Sequence, residues 1–510
     1  MNIILYGPPG AGKSTVGKEL AALLGREFAD SDPLIEKHAG RSIPQIFSHL
    51  GEAEFRRIES AVCAELAGRA NTVIAVGGGA MLNPGNRAAL ERSGLAICLR
   101  AEVDELLART ADATRPLLAG DNASEQLAAL LKTRRRLYDS FPTQIDTTGK
   151  SVAQVVDEIV SLLTPHSLPV NAPGLKHQIL LGYGLLDSLP AILAQHNLTG
   201  PTLLVTDENV ARALSPELPY PQTALPAGEQ HKTLDTIRQL YDAFLEHGLD
   251  RSGLVVAVGG GVIGDMAGFA AATFMRGLHW VNAPTTLLAM VDASLGGKTG
   301  VDLPQGKNLV GAFHPPSLVI SDPFALNTLP EAERISGMAE VIKHGLLGDA
   351  ALFESLEAST TFGSRDQLRR AIEVKIRVVE ADPFERGERA TLNLGHTVGH
   401  GVEAASGYRL RHGEAVAIGL AAETWVAERM GLAERGLTDR VSTLLKRTGL
   451  PTRCPGLDPV DIRTAMSSDK KKAGGQLKFA LPKRVGEAVW GVEVDEALLM
   501  ETLEIMADAR

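Results

Sequence analysis

Residues 7–15 read Gly-Pro-Pro-Gly-Ala-Gly-Lys-Ser-Thr and follow a short apolar run. This is a complete G-x-x-x-x-G-K-[ST] pattern, whose backbone N–H groups wrap the phosphates of a nucleotide at the start of a helix. Lys13 is expected on the β- and γ-phosphates and Ser14 on Mg²⁺. A plain glycine turn needs neither side chain. The pattern therefore predicts an ATP site formed by Gly10, Gly12, Lys13, Ser14 and Thr15.

Two carboxylates, Asp30 and Asp32, follow at the spacing of a strand. At the end of a strand they could serve Mg²⁺ and an acceptor hydroxyl, although alone they would be ordinary acidic loop residues. Further motifs accompany them: Gly51-Glu-Ala-Glu-Phe-Arg-Arg57, Gly77-Gly-Gly79, Thr114-Arg-Pro-Leu117 and Arg134. Together these motifs resemble the shikimate kinase family over the whole first part of the chain.

The resemblance implies a role for each matched residue. Asp30 would lie on the Mg²⁺ side with Ser14, and Asp32 would hold the shikimate hydroxyl as the base. Arg115 would belong to a lid over ATP, where a cation offsets the charge of the transferred phosphoryl group. Planar guanidinium groups suit a carboxylate. The implied shikimate-binding residues are Asp32, Arg56, Gly78, Gly79 and Arg134.

The second part of the chain has features typical of a dinucleotide site and a metal site. Residues 259–265 contain G-x-G-x-x-G after an apolar run, which alone is a weak signal. Residues 296–299, Gly-Gly-Lys-Thr, are no second ATP site, because Asp292 stands where the first glycine is needed. Glu340 and several histidines could supply the carboxylate and imidazoles of a catalytic zinc. Spacing alone favours His396 and His400, which share a helix face.

Residues 175–500 are similar to the 3-dehydroquinate synthase family. The motifs are Pro226-Ala-Gly-Glu-Gln-His-Lys232, residues 259–265, Pro284-Thr-Thr286, Asp292-Ala-Ser-Leu-Gly-Gly-Lys-Thr299, Lys307-Asn308, Glu340-Val-Ile-Lys343 and Asn393-Leu-Gly-His396. That family converts 3-deoxy-D-arabino-heptulosonate 7-phosphate to 3-dehydroquinate with phosphate release. NAD accepts and returns a hydride within one turnover.

The resemblance assigns the site residues of this part. The implied Zn²⁺ or Co²⁺ ligands are Glu340, His396 and His412. The implied NAD-binding residues are Asp207, Glu229, Lys232, Gly260, Gly261, Asp265, Thr285, Thr286 and Lys307. Around the sugar phosphate it places Asp292, Lys298, Asn308, Arg389 and Arg276, the last from a neighbouring subunit. The implied catalytic residues are Lys298, Lys343, Lys375, Asn393 and His400. Either Lys470 or Lys471 would complete the pocket, although the charged run 470–472 could equally be solvated.

Apolar runs alternating with helical periodicity predict an α/β fold in both parts. We expect a P-loop kinase domain with a parallel sheet over residues 1–163 and a proline-rich linker over 164–176. The synthase domain would cover 177–510, with a Rossmann-like NAD-binding part at 177–324 and a mostly helical metal-binding part at 325–510. The expected strands include Ile3 to Tyr6, Thr72 to Val76, Ala96 to Leu99, Thr202 to Thr206 and Leu254 to Val258.

A net charge of -10 argues against nucleic acid and anionic membranes as partners. Three scattered cysteines, the absence of a signal-peptide pattern and the lack of a long apolar run favour a cytoplasmic enzyme acting on small molecules. Arg276 acting in trans predicts a homodimer through the synthase domain. Two alternatives stay open: one domain is a nucleotide-sensing or scaffolding module, or the second part is a polyol dehydrogenase joined to another small-molecule kinase.

Overall fold

The structure, a computed structural model, describes residues 1–110, 123–213, 218–359, 361–385, 387–470 and 477–508. The chain divides into two compact units. The first contains residues 1–165 with 182–184, and the second contains residues 166–181 and the chain from 185 onward. Among the described residues, the structure has no helix with the length and apolar character that a membrane span requires.

The first unit is built around a five-stranded parallel sheet. Its strands are β1 (Asn2–Tyr6), β2 (Glu27–Asp30), β3 (Thr72–Ala75), β4 (Gly94–Arg100) and β5 (Gln144–Asp146), in the order β2-β3-β1-β4-β5. The central strand β1 is buried along its whole length. Ile4 and Tyr6 pack into one core and Ile3 and Leu5 into another. This alternation is typical of a parallel sheet covered on both faces.

The helices of this unit are α1 (Lys13–Leu24), α2 (Ser31–Ala39), α3 (Ile43–Ala67), α4 (Pro84–Ser93), α5 (Val103–Thr110), α6 (Ala123–Asp139) and α7 (Val152–Leu163). Helix α1 follows β1 directly after the glycine loop, and β2 ends where α2 begins. The P-loop and the two aspartates therefore lie at the carboxyl ends of strands, where open α/β sheets bind their ligands.

The second unit begins with a seven-stranded sheet. Its strands are β6 (His166–Ala172), β7 (Leu175–Leu181), β8 (Thr202–Asp207), β9 (Gln222–Leu225), β10 (Leu254–Gly259), β11 (His279–Pro284) and β14 (Leu318–Ser321), in the order β6-β7-β14-β11-β10-β8-β9. A separate antiparallel hairpin contains β12 (Lys298–Leu303) and β13 (Gly306–Phe313). The accompanying helices are α8 (Leu189–Gln195), α9 (Glu208–Ala213), α10 (Leu234–Glu246) and α11 (Gly261–Thr273). The predicted α/β class is confirmed.

The segment 164–176, predicted as a linker, contains β6 and the first residues of β7. These strands pair antiparallel from His166 opposite Leu181 to Ala172 opposite Leu175. Pro169 is tolerated because β6 lies at the edge of the sheet. A turn at Pro173 and Gly174 joins the strands, and Gly174 has a φ of 76°, as a glycine after proline permits. The prediction was wrong because proline-rich composition also suits an edge hairpin.

The rest of the second unit is mainly helical. Its elements are α12 (Glu331–Gly348), α13 (Ala350–Ala358), α14 (Arg365–Ala381), α15 (His396–Ala405), α16 (His412–Arg429), α17 (Leu437–Arg447), α18 (Pro459–Lys470), α19 (Glu496–Ala507) and a hairpin of β15 (Phe479–Arg484) and β16 (Glu487–Val492). Helices α12 and α16 are buried over most of their length. They pack in the largest apolar core of the unit, which fixes the ends of α15 and α16 beside the middle of α12.

Candidate functional site

The P-loop lies at the amino end of α1. Gly12 caps this helix in a left-handed conformation with a φ of 88° and has no side chain that could occupy the helix start. Free N–H groups at a helix start attract anions. Lys13 folds back over the loop, and its Nζ donates to the carbonyl oxygens of Gly7 at 2.9 Å and Pro8 at 3.0 Å. The loop is therefore arranged to hold phosphate groups.

Ser14 and Asp30 lie together beside the P-loop. The Ser14 hydroxyl donates to Asp30 Oδ2 at 2.5 Å, and Asp30 Oδ1 accepts from the backbone N–H of Asp32 at 3.1 Å. Oxygen atoms of this kind are the ligands that Mg²⁺ prefers. Asp32 lines the same cavity of about 440 Å³, along with Lys13 and Gly78.

Two arginines approach the glycines at the carboxyl end of β3. Arg134 Nη1 donates to the Gly78 carbonyl at 2.6 Å. A Cβ on Gly79 would lie 2.8 Å from Arg56 Nη1, so any larger residue would displace this guanidinium from its place. Arg56 is held in turn by Glu59, which accepts from Nη1 at 2.8 Å. Burial raises the pKa of Glu59, and Arg56 offsets part of that rise.

Sequence reasoning missed Glu59 and Arg109 in this unit. Glu59 stands three residues after Arg56 on α3, a spacing that brings opposite charges together. Arg109 lines the cavity and donates to the Thr147 carbonyl at 2.9 Å and its hydroxyl at 3.0 Å. Arg115, expected in a lid, lies outside the described residues.

In the second unit, the residues expected to bind NAD form two groups. The first lies at the carboxyl ends of the adjacent parallel strands β8, β10 and β11. It includes Asp207, Gly260, Gly261, Thr285 and Thr286. A Cβ on Gly260 would lie 3.1 Å from Thr286 Cγ2, so these two loops approach closely. The open start of α11 at Gly261 follows β10 directly, an arrangement suited to a pyrophosphate.

The second group surrounds the buried ammonium of Lys232. Its Nζ lies 2.6 Å from Asp265 Oδ2, 2.6 Å from Asn308 Oδ1 and 3.9 Å from Glu229 Oε1. Burial raises the pKa of Asp265, and Lys232 counteracts the rise. Asn308, which we expected at the sugar phosphate, therefore lies among the expected nucleotide residues. Its neighbour Lys307, expected at NAD, instead contacts Glu403 at 2.9 Å.

A histidine cluster, defined as Glu340, His396 and His412, brings the three expected metal ligands together. One ligand atom from each side chain lies within 4.8 Å of the others. His396 and His412 are the first residues of α15 and α16, and their Nε2 atoms lie 3.5 Å and 3.8 Å from Glu340 Oε1. Glu340 is fully buried on α12, where Oε1 faces the two imidazoles and Oε2 pairs with the Lys343 ammonium.

The two imidazoles of the histidine cluster differ in the direction of their pKa shifts. Burial, reinforced by Lys343, holds the pKa of His396 well below its usual value, so its imidazole stays neutral and can donate a lone pair. Burial by itself would lower the pKa of His412, but the Glu403 and Glu340 carboxylates together outweigh it and raise the pKa overall. A buried anion with two imidazoles facing it is a donor set that fits a divalent metal ion.

A lysine cluster, defined as Asp292, Lys343 and Lys375, adjoins the histidine cluster. Lys375 Nζ lies 2.6 Å and Lys343 Nζ 4.0 Å from Asp292 Oδ1, and Lys343 also pairs with Glu340. Burial alone would raise the pKa of Asp292, but the two ammonium groups hold it well below its ordinary value. Asp292 lies in a π-helical turn, Ala289–Ala293, a geometry frequent at functional sites.

The remaining expected residues surround these clusters less closely. Lys298 pairs with Glu385, and Arg389 Nη1 donates to the Pro383 carbonyl at 2.6 Å. The His400 ring is centred 5.3 Å from that of His396 and is exposed, as is Asn393. Arg276 is exposed, with a φ of 70°. The side chain of Lys470 and all of Lys471 lie outside the described residues.

Comparison with known proteins identifies both units. Residues 9–164 match the shikimate kinase family model, and residues 222–336 and 337–472 match the amino-terminal and carboxyl-terminal 3-dehydroquinate synthase models. A 3-dehydroquinate synthase from Microcystis aeruginosa is 44% identical over 361 residues, covering 66% of this chain and 97% of the relative. The chain belongs to the 3-dehydroquinate synthase family. Because it also contains a shikimate kinase domain, it combines two enzymes of the shikimate pathway.

Solved structures are similar to the synthase part. A 2-epi-5-epi-valiolone synthase from Streptomyces hygroscopicus, with NAD⁺ and Zn²⁺ bound, has a TM-score of 0.58 and 29% identity, covering 65% of this chain and 96% of its own. A 2-deoxy-scyllo-inosose synthase with carbaglucose-6-phosphate, NAD⁺ and Co²⁺ has a TM-score of 0.59 and 27% identity, covering 67% of this chain and all of its own.

Sequence reasoning assigned no role to two further residues of the synthase part. His344 is fully buried, with Nε2 3.6 Å from Asp292 Oδ1. Glu403 lies between Lys307 and the ligand histidine His412. Their only signal in the sequence was closeness to recognised motifs, because their partners come from other elements.

Proposed function

We propose that the kinase domain phosphorylates shikimate to 3-phosphoshikimate with ATP, and that the synthase converts 3-deoxy-D-arabino-heptulosonate 7-phosphate to 3-dehydroquinate. The observation that carries the proposal is the assembly of both sites within one chain. One pairs a P-loop with two arginines at the Gly78–Gly79 turn, and the other sets the histidine cluster beside the lysine cluster.

In the kinase domain, Lys13 and the N–H groups of α1 hold the ATP phosphates. Ser14 and Asp30 hold Mg²⁺, so the Asp32 carboxylate, anchored in the next helix, is left to accept the proton of the shikimate hydroxyl. Arg56 and Arg134 bind the shikimate carboxylate. Glu59 keeps Arg56 facing the turn, and Arg115 closes over the nucleotide.

In the synthase, Glu340, His396 and His412 hold Zn²⁺ or Co²⁺, which supplies Lewis acidity at a substrate oxygen. The fit rests on the buried Glu340 carboxylate, whose Oε1 lies 3.5 Å and 3.8 Å from the Nε2 atoms of the two imidazoles that face it. Lys298, Arg389 and Arg276 bind the anionic groups of the sugar phosphate. Asp292 orients the buried ammonium groups of Lys343 and Lys375 toward the same pocket, with Asn393 and His400 at its edge.

NAD would be held by the loops after β8, β10 and β11, and the N–H groups at the start of α11 would suit its pyrophosphate. The residues proposed for it are Asp207, Glu229, Lys232, Gly260, Gly261, Asp265, Thr285, Thr286, Lys307 and Asn308. A bound dinucleotide that recovers its hydride acts as a catalyst, and the elimination releases phosphate from the substrate.

We further propose a cytoplasmic homodimer in which Arg276 completes the partner's site. Leu309 and Phe313 leave about half of their surface exposed on β13, and Phe384 packs edge-on against Phe313. Met275, beside Arg276, is also exposed. Cys63, Cys98 and Cys454 are free thiols, which suits a reducing compartment.

The test follows phosphate and NADH together in the purified full-length protein supplied with the sugar phosphate, NAD⁺ and Zn²⁺. Phosphate release without net NADH supports the synthase, whereas accumulating NADH would identify a polyol dehydrogenase. ATP with shikimate tests the kinase. Lys13→Met should abolish only the kinase reaction, and Lys343→Met only the phosphate release. If neither reaction occurs in the wild type, the proposal is wrong.

A further inference from the structure

Glu403 links the histidine cluster to the hairpin β12–β13. Its carboxylate lies on α15 and is about one-tenth exposed. Glu403 Oε2 is 3.3 Å from His412 Nδ1, and Oε1 accepts from Lys307 Nζ at 2.9 Å. Each oxygen therefore has a different partner, one on α16 and one on β13.

The contact with Glu403 determines which nitrogen of His412 faces Glu340. When Nδ1 donates to a carboxylate, the proton is fixed there and the lone pair remains on Nε2. That Nε2 lies 3.8 Å from Glu340 Oε1. His396 shows the same arrangement, with Nδ1 3.2 Å from the Leu394 carbonyl and Nε2 toward Glu340. Both imidazoles thus have a second contact that orients them.

Lys307 restrains the Glu403 carboxylate from the other side. Its ammonium also lies 4.8 Å from the centre of the Tyr408 ring, which limits where the side chain can go. The next residue, Asn308, has a φ of 54° and directs its amide oxygen to Lys232. Two consecutive residues of one hairpin therefore contact Lys232, among the expected nucleotide residues, and Glu403, the partner of His412.

We propose that Glu403 is a positioning residue that orients His412 toward a divalent metal ion, and that Lys307 holds Glu403 in place. This inference rests on the proposed metal-dependent synthase. Partners of metal-bound histidines typically contribute about 10- to 100-fold to metal affinity. Glu403 touches neither substrate nor metal in this arrangement, so its effect passes through His412.

The experiment measures Co²⁺ affinity by chelator competition on metal-stripped full-length protein, together with the visible spectrum of bound Co²⁺. Glu403→Leu removes both contacts and should weaken binding by about 10-fold or more. Glu403→Gln keeps an acceptor for Nδ1 and should weaken binding less. Lys307→Met should also weaken it and change the spectrum in the same sense as Glu403→Gln. Lys483→Met is the matched control, because Lys483 is equally exposed and paired with Glu487.

Thermal unfolding of the metal-free proteins shows whether a variant binds metal weakly because His412 is misoriented or because the fold is destabilised. If Glu403→Leu does not fold, Glu403→Gln and Lys307→Met decide the question, since both keep the backbone and the side-chain volume. Wild-type affinity and spectrum in the folded Glu403 variants would overturn the proposal. Failure of the wild-type protein to bind either Co²⁺ or Zn²⁺ would instead refute the proposed metal-dependent function.

Discussion

Replacing His177 should reduce the loss in free energy of unfolding that the synthase unit shows as the pH falls. His177 lies on β7 and points to the same face as the buried Leu175 and Ile179. Only 9% of its surface is exposed. Burial lowers the pKa of His177 from 6.5 to about 4, because the charged imidazole loses its hydration.

Whether stability rises or falls with pH follows from comparing the pKa of His177 in the folded and unfolded states. Because the folded pKa is depressed, the unfolded chain takes up the proton first as the pH falls, and stability declines from about pH 6.5 to about pH 4. The whole window corresponds to about 3 kcal/mol, of which about 2 kcal/mol is lost by about pH 5. Above the window His177 is neutral in both states and has no effect on the slope.

Tryptophan fluorescence makes the assay specific for this unit. The three tryptophans of the chain, Trp280, Trp425 and Trp490, all belong to the second unit. Urea unfolding at several pH values should show the decline in the wild type and in His247→Gln, whose histidine is exposed. In His177→Gln the decline should be smaller by about 2 kcal/mol between pH 7 and pH 5. An unchanged slope in His177→Gln would refute the burial argument.

Three further predictions concern activity. Gly79→Ala should raise the KM for shikimate about tenfold or more, with the KM for ATP nearly unchanged in steady-state kinetics, because its Cβ displaces Arg56. Asp292→Asn should lower the synthase kcat about tenfold or more and spare the kinase, because the buried ammonium of Lys375 loses its counter-ion and that of Lys343 keeps only Glu340. Mixing inactive Arg276→Ala and Lys343→Met after subunit exchange should restore about a quarter of the phosphate release, because half of the dimers are mixed and each has one intact site.

Each of these predictions has an outcome that contradicts it. An equal rise in both KM values would mean that Gly79→Ala disturbs the whole kinase domain. Wild-type kcat in Asp292→Asn would show that the lysine cluster needs no counter-ion. A mixture as inactive as its components, in a protein shown to exchange subunits, would place Arg276 outside the partner's site.

The elements that position the P-loop were predictable because each depends on neighbouring residues. The apolar run before Gly7 forms β1, and the G-K-S-T sequence begins α1. The linker was not predictable from composition, because proline excludes a central strand but not an edge strand. Only the pairing partner β7, with its alternating burial, distinguishes the two cases.

The metal ligands show more clearly what residue spacing in the sequence cannot predict. His396 and His400 share a face of α15, yet Glu340 and His412 come from α12 and α16. The choice among these side chains depends on how three helices pack, and helical periodicity contains no information on that packing. The expected ligand set came from the resemblance to a family, and the structure places Glu340, His396 and His412 close together. It did not supply Glu403, whose role depends on two partners from different elements.

The charges of the synthase pocket predict that metal and substrate bind cooperatively. Lys343 and Lys375 balance Asp292 and Glu340, and His396 is neutral, so these buried groups have no net charge without a cation. A divalent ion leaves an excess of positive charge that only an anionic substrate can compensate in a site of low dielectric. Calorimetry without NAD, which prevents turnover, should therefore show the sugar phosphate binding the metal-free protein about tenfold or more weakly than the Zn²⁺-loaded protein. Equal affinities would mean that the peripheral cations bind the substrate by themselves.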